Sequence, residues 1–247
     1  MSEATLTPSA PVSQPETISV PAATPPAPEH IFDSETIGDL LERLGGVAPS
    51  RVLLRPWPGT ATEADVIAIE ARENRLCELI DGVLVEKVMG YTESRCAVLL
   101  SHHIETYLEG NDLGIVAGAD GMLRITIRCV RIPDVSFISW ARIPDPKALD
   151  RQVPELVPDL AVEVLSPSNT RHEMAIKLRE YFAAGVRLVW YVDPTERTAR
   201  AFTSPETWTD LGPGDSLDGG DVLPGFRLAM SDWFDRAERK GPRPAEG

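Results

Sequence analysis

Apolar residues along this chain switch between helical and alternating periods, and the switches outline the elements. Ile37, Leu40, Leu41 and Leu44 share one helical face, with Ser34 placed as the cap and Gly45-Gly46 as the stop. A second short helix is predicted over 63–73, with Thr62 as cap and Asp65 at its third position, a capping box with Asp in place of Glu. Residues 75–87 read as a hairpin: Leu76, Ile80 and Val83–Val85 are strand-like and Asp81-Gly82 is a strong turn signal. Residues 92–109 form a helix carrying Ala97, Leu100, Ile104 and Leu108 on one side, and strands follow at 114–117, 122–127 and 134–139.

After a proline-interrupted loop over 140–157, residues 160–165 form a nearly continuous apolar run broken by one carboxylate, Glu163. That pattern suits a buried central strand. A helix capped by Thr170 runs to Ala184 and stops at Gly185, and strands are predicted at 188–192 and 198–203. Short strands, glycine-rich turns and a small helix capped by Ser231 complete the chain. Helices, a run of strands, a helix and more strands imply an α/β or α+β domain around one mixed sheet.

Composition changes this picture at the ends. The first 30 residues hold seven prolines with many Ala, Thr and Ser and little apolar content, too little burial to offset ordering entropy. We therefore expect a disordered tail over 1–33, a folded domain over 34–240 and a flexible C-terminus over 241–247. The N-terminal stretch MSEATLTPSAP has no basic start and no apolar core, and no long apolar run occurs anywhere. A cytoplasmic protein without a membrane span is expected. Three widely separated cysteines, Cys77, Cys96 and Cys129, form no CxxC pair and read as small buried residues of a reducing compartment.

Charge narrows the function. The net charge of -14 argues against avid nonspecific binding to phosphates, although the tail supplies part of it through Glu3, Glu16, Glu29 and Asp33. No P-loop, GxSxG or HExxH pattern occurs, and adjacent His102 and His103 do not share a helical face. What remains is Glu163, because a carboxylate in a buried strand must be paired, protonated or metal-bound. Asp134 opens a neighbouring strand, and two carboxylates on adjacent strand ends make a hard oxygen site suited to Mg2+ or Mn2+. Lys177, on the helix after the Glu163 strand, is the candidate cation for an attacking water, and it shares a face with Glu173 and Tyr181. Glu173 closes the Thr170 capping box and is assigned to structure.

The segments CELIDGVLVEK, RIPDVSFIS, PDLAVEVLSPSNT and KLREYFAAGVRLVWYVDP, in that order, resemble the Uma-type putative restriction endonuclease family of the PD-(D/E)XK nuclease superfamily. The resemblance spans roughly residues 34–240. It implies a restriction-endonuclease-like mixed sheet flanked by helices, a divalent metal, and hydrolysis of nucleic-acid phosphodiesters, DNA in the first place. By position, Asp134 matches the aspartate of the PD motif and Glu163 the second acid. The superfamily lysine, two residues after that acid, is Leu165 here, and Lys177 stands where some branches carry it on the following helix. Glu78, in the hairpin motif, and Glu93, at the start of the next helix, are the candidates for a further acidic residue. A homodimer is compatible with this assignment, since cutting both strands needs two sites or two visits. The alternative is a noncatalytic nucleic-acid-binding or assembly module that retained the fold.

Overall fold

In the computed structural model, which describes residues 36–242, helix α1 (Ile37–Arg43) is capped by Thr36. Thr36 Oγ1 accepts from the Asp39 amide at 3.2 Å, while the Asp39 carboxylate accepts from the Thr36 amide at 2.9 Å. The expected cap, Ser34, lies outside the described residues, as do the tail over 1–33 and the last five residues; the reciprocal Thr36–Asp39 pair is what fixes the helix start. Strand β1 (Val52–Leu53) and helix α2 (Glu63–Glu73) follow, with the anticipated Thr62–Asp65 box at the start of α2. Strands β2 (Cys77–Ile80) and β3 (Val83–Glu86) form the hairpin, and positive φ at both Asp81 and Gly82 gives the turn the twist that two-residue hairpins favour.

Helix α3 (Tyr91–Leu108) leads into β4 (Gly114–Ala117), β5 (Leu123–Thr126), β6 (Cys129–Arg131) and β7 (Val135–Ser139). Then come β8 (Leu160–Val164), α4 (Arg171–Ala184), β9 (Leu188–Asp193), β10 (Thr198–Ser204), β11 (Thr207–Leu211), β12 (Ser216–Asp218), β13 (Arg227–Ala229) and α5 (Met230–Glu238). The cap of α5 is Ala229 rather than Ser231, because the chain enters that helix directly from β13.

The strands divide where a single sheet was expected. One sheet has the order β1-β3-β2-β6-β5, a second β11-β10-β9-β8-β7-β4, and β12 pairs with β13 alone. In the second sheet only β8 and β9 pair in parallel, and α4 connects them as a crossover. Leu160, Val162 and Val164 pack with α3 and α5, whereas Ala161 joins Met174, Leu178 and Tyr181 of α4. This sheet is therefore covered on both faces, which explains why β8 is apolar at every position but Glu163. The fold is α+β, a mixed sheet flanked by helices, and no described helix is long and apolar enough to cross a membrane.

Candidate functional site

The short segment Ile132–Asp134 carries the chain from β6 in the first sheet to β7 in the second, and the chemistry gathers at this crossing. Pairing of Leu79 with Val130 and of Ile80 with Cys129, continued by one residue, sets Arg131 opposite Glu78. Pairing of Val135 with Val162, continued the same way, sets Asp134 opposite Glu163. Directly opposed residues in an antiparallel pair share a face. The face bearing Asp134 and Glu163 is the one covered by α4, which brings Lys177 and Tyr181 down onto it.

All of these groups are buried. Lys177 Nζ lies 3.0 Å from Glu78 Oε1 and 3.1 Å from Glu163 Oε1. Tyr181 donates its hydroxyl to the same Glu163 oxygen at 2.6 Å. Arg131 reaches Glu78 Oε2 at 2.7 Å and also holds Glu180, while the Ile132 amide donates to Glu78 Oε1 at 3.2 Å. Asp134 has a different set of partners: Lys87 Nζ lies 2.7 Å from Oδ1 and the Val164 amide donates to Oδ2 at 2.7 Å.

The environments push the two glutamates apart. Burial works to raise the Glu78 carboxyl, but Lys177, Arg131 and Lys87 outweigh it and hold Glu78 below the ordinary carboxylate range. Burial raises the Glu163 carboxyl, Lys177 offsets part of this, and the Asp134 carboxylate pushes it further up. Burial also opposes charge on Lys177, yet Glu163 and Glu78 on either side keep its pKa above that of an ordinary lysine. Glu78 and Lys177 are thus a fixed ion pair, and Glu163 is the carboxylate whose charge is least satisfied by protein groups.

Of the residues singled out in the sequence, Asp134, Glu163, Lys177 and Glu78 lie together. Glu93 does not join them: its carboxylate folds back over Gly90 at the start of α3. Glu173, beyond its capping role, pairs with Arg51 at 2.9 Å. A second Pro-Asp pair, Pro158-Asp159, is a structural anchor, with Asp159 accepting from the Ser139 amide and pairing with Arg142, both at 2.9 Å.

Lys87 and Arg131 pair with the site carboxylates Asp134 and Glu78 and were not among the residues expected there. Both were within reach of period-two counting: Lys87 and Glu78 fall on one face of the hairpin, and Arg131 is two residues from Cys129 on the side opposite Val130. The three cysteines are free and buried, as anticipated.

Among the described residues no three His, Cys, Asp or Glu side chains converge as a ligand group. Two carboxylates facing each other across one ladder remain, and no described residue donates to Glu163 Oε2. A hard divalent ion that retains several waters needs no more than one or two such carboxylates, so the donor set fits magnesium or manganese. A cavity of about 240 Å³ between α3 and β4 has Asp134 on its wall, with Ser94, Ser101 and Glu105. A larger one, of about 950 Å³, lies between α4 and β9–β11 and touches none of the site carboxylates.

The model of the Uma2 family, described as a putative restriction endonuclease, matches residues 35–231. A solved structure, a putative nuclease belonging to DUF820 from Anabaena variabilis ATCC 29413, is similar with a TM-score of 0.58. Its identity is 18%, with 66% of this chain and 91% of that one covered, a likeness of fold. No curated protein matches the chain. The family match extends over most of the chain and contains the whole β2–α4 site, so this protein belongs to the Uma2 family.

Proposed function

We propose that the protein is a metal-dependent endonuclease that hydrolyses phosphodiester bonds of nucleic acid, DNA in the first place. One observation carries the reading: a buried ammonium, Lys177, is held between Glu78 and Glu163, with Asp134 on the strand opposite. Family membership and the nuclease-like fold support it.

Asp134 and Glu163 are the residues that would hold Mg2+ or Mn2+, and the ion would supply an activated water and positive charge against phosphate oxygens. Tyr181 and Lys177 both hold Glu163 Oε1, which fixes the carboxylate plane and directs Oε2 away from protein donors. Glu78 stays ionised and anchors Lys177, so the ammonium is positioned rather than free to rotate. A positioned cation beside the phosphate stabilises the charge that develops during attack. Lys177 in this role makes a lysine at Leu165 unnecessary. One site breaks one strand, so a double-strand cut takes two copies or two visits.

The noncatalytic alternative draws on a specific observation as well. Arg131, Lys177 and Lys87 already partner Glu78, Glu163 and Asp134, so the cluster also ties the two sheets to α4. Incubating the protein with supercoiled plasmid, linear duplex, single-stranded DNA and RNA, each with Mg2+, Mn2+ or EDTA, separates the two. Cleavage of any of them that EDTA abolishes supports the nuclease, and the preferred polymer identifies its substrate class. Failure to cut all four under every metal condition favours the binding module.

A further inference from the structure

Lys87 is unused by the nuclease reading, yet its ammonium sits on the carboxylate oxygen that reading most needs. The residue directly follows β3, and its amide donates to the Leu76 carbonyl at 2.8 Å, so its backbone is fixed by strand pairing. Its side chain is only 9% exposed. Nζ lies 2.7 Å from Asp134 Oδ1 and also donates to the Ile132 carbonyl. We propose that Lys87 is an internal competitor for the divalent cation: its ammonium holds the place of the metal at Asp134 and must be displaced when the metal binds. This rests on the reading of Asp134 as a metal ligand.

The two oxygens of Asp134 differ in what can leave them. Oδ2 is held by the Val164 amide, which lies within β8 and cannot withdraw without breaking the sheet. Oδ1 is held by an ammonium on a flexible four-carbon stem, which can swing away. Lys177 is not free to do the same, because it stands between two carboxylates, and its departure would strand Glu78 with one counter-charge fewer. An incoming divalent ion therefore gains Asp134 at Oδ1 by expelling Lys87. The apparent metal affinity is lowered by the fraction of molecules in which Lys87 holds its place.

Manganese binding to the full chain, followed by electron paramagnetic resonance, tests this with wild type, Lys87→Met and Asp134→Asn. We expect Lys87→Met to bind Mn2+ about tenfold more tightly than wild type, the gain that follows if Lys87 leaves Asp134 free in about a tenth of the molecules, and Asp134→Asn to lose binding. Unchanged or weaker binding by folded Lys87→Met, with Asp134→Asn still deficient, overturns the competitor role and leaves the metal site standing. Binding indifferent to Asp134→Asn overturns the metal reading and the inference together. Should Lys87→Met fail to fold, wild type with 13C-labelled lysine gives the answer. The Lys87 Cε resonance, identified by its absence in Lys87→Arg, is expected to move and saturate with added Mg2+; a resonance that stays in place while Mg2+ binds overturns the proposal.

Discussion

Glu78 and Arg131 meet across β2 and β6 at 2.7 Å with almost no solvent contact, and every other charge of the site is arranged around them. Arg131 neutralises one oxygen of Glu78 and Lys177 the other, while Arg131 reaches outward to Glu180. Replacing Arg131 by Met leaves Glu78 buried with Lys177 as its one directly paired cation. Loss of one partner from a buried pair costs about 3–5 kcal/mol, so Arg131→Met should lower the urea-unfolding free energy by that order. A loss smaller than about 1 kcal/mol, the range of exposed pairs, would show that the pair is not buried as described.

Acid should weaken the fold through the same carboxylate. The folded Glu78 carboxyl is held below its unfolded value of 4.5, against the opposing effect of burial, by Lys177, Arg131 and Lys87. A carboxyl depressed in this way contributes stability that is present above the unfolded value and is lost as pH falls through the folded one. Unfolding free energies measured from pH 6 downward should therefore decline more steeply below pH 4.5 in wild type than in Glu78→Gln. Parallel curves for the two proteins would contradict the assignment.

Gly45 shows how closely α1 approaches α4. Its φ is +81°, and a Cβ added there would lie 2.5 Å from the Glu173 amide nitrogen and Cα. Backbone strain and overpacking together predict a loss of about 3 kcal/mol for Gly45→Ala, read as a shift of the denaturation midpoint at constant slope. Because Glu173 in turn holds Arg51, the effect should be one of stability and not of metal binding.

The three thiols should be inert in the native state. Burial pushes Cys77 and Cys96 up to about 11 and Cys129 up to about 12. Thiolate is the reactive form, so Ellman's reagent should titrate the cysteines only once denaturant unfolds the chain. Rapid modification of native protein at neutral pH would refute this placement.

Much of the site was legible because it depends on local rules. The buried run around Glu163, the Thr170 capping box and the Gly185 stop locate β8 and α4, and helical spacing then places Lys177 and Tyr181 on one face. The pairings were harder to see. Glu78 and Arg131 are 53 residues apart, and the register that joins them is set by tertiary packing. The division into two sheets was not legible either, since β6 is only three residues long and which strands pair across Ile132–Asp134 is decided by tertiary packing. Glu93 and Glu78 looked equivalent because each, taken alone, reads as an ordinary surface carboxylate; only the fold shows one facing Lys177 and the other folded over Gly90.

The most direct test of the account is nicking of supercoiled plasmid with Mg2+ or Mn2+ by wild type, Glu163→Gln and Lys177→Met, each checked for native folding by circular dichroism. Wild type should nick in a metal-dependent way, and either variant should lose at least about a hundredfold, the scale of one lost charge-stabilising group. Nicking that persists undiminished in folded Glu163→Gln would contradict it.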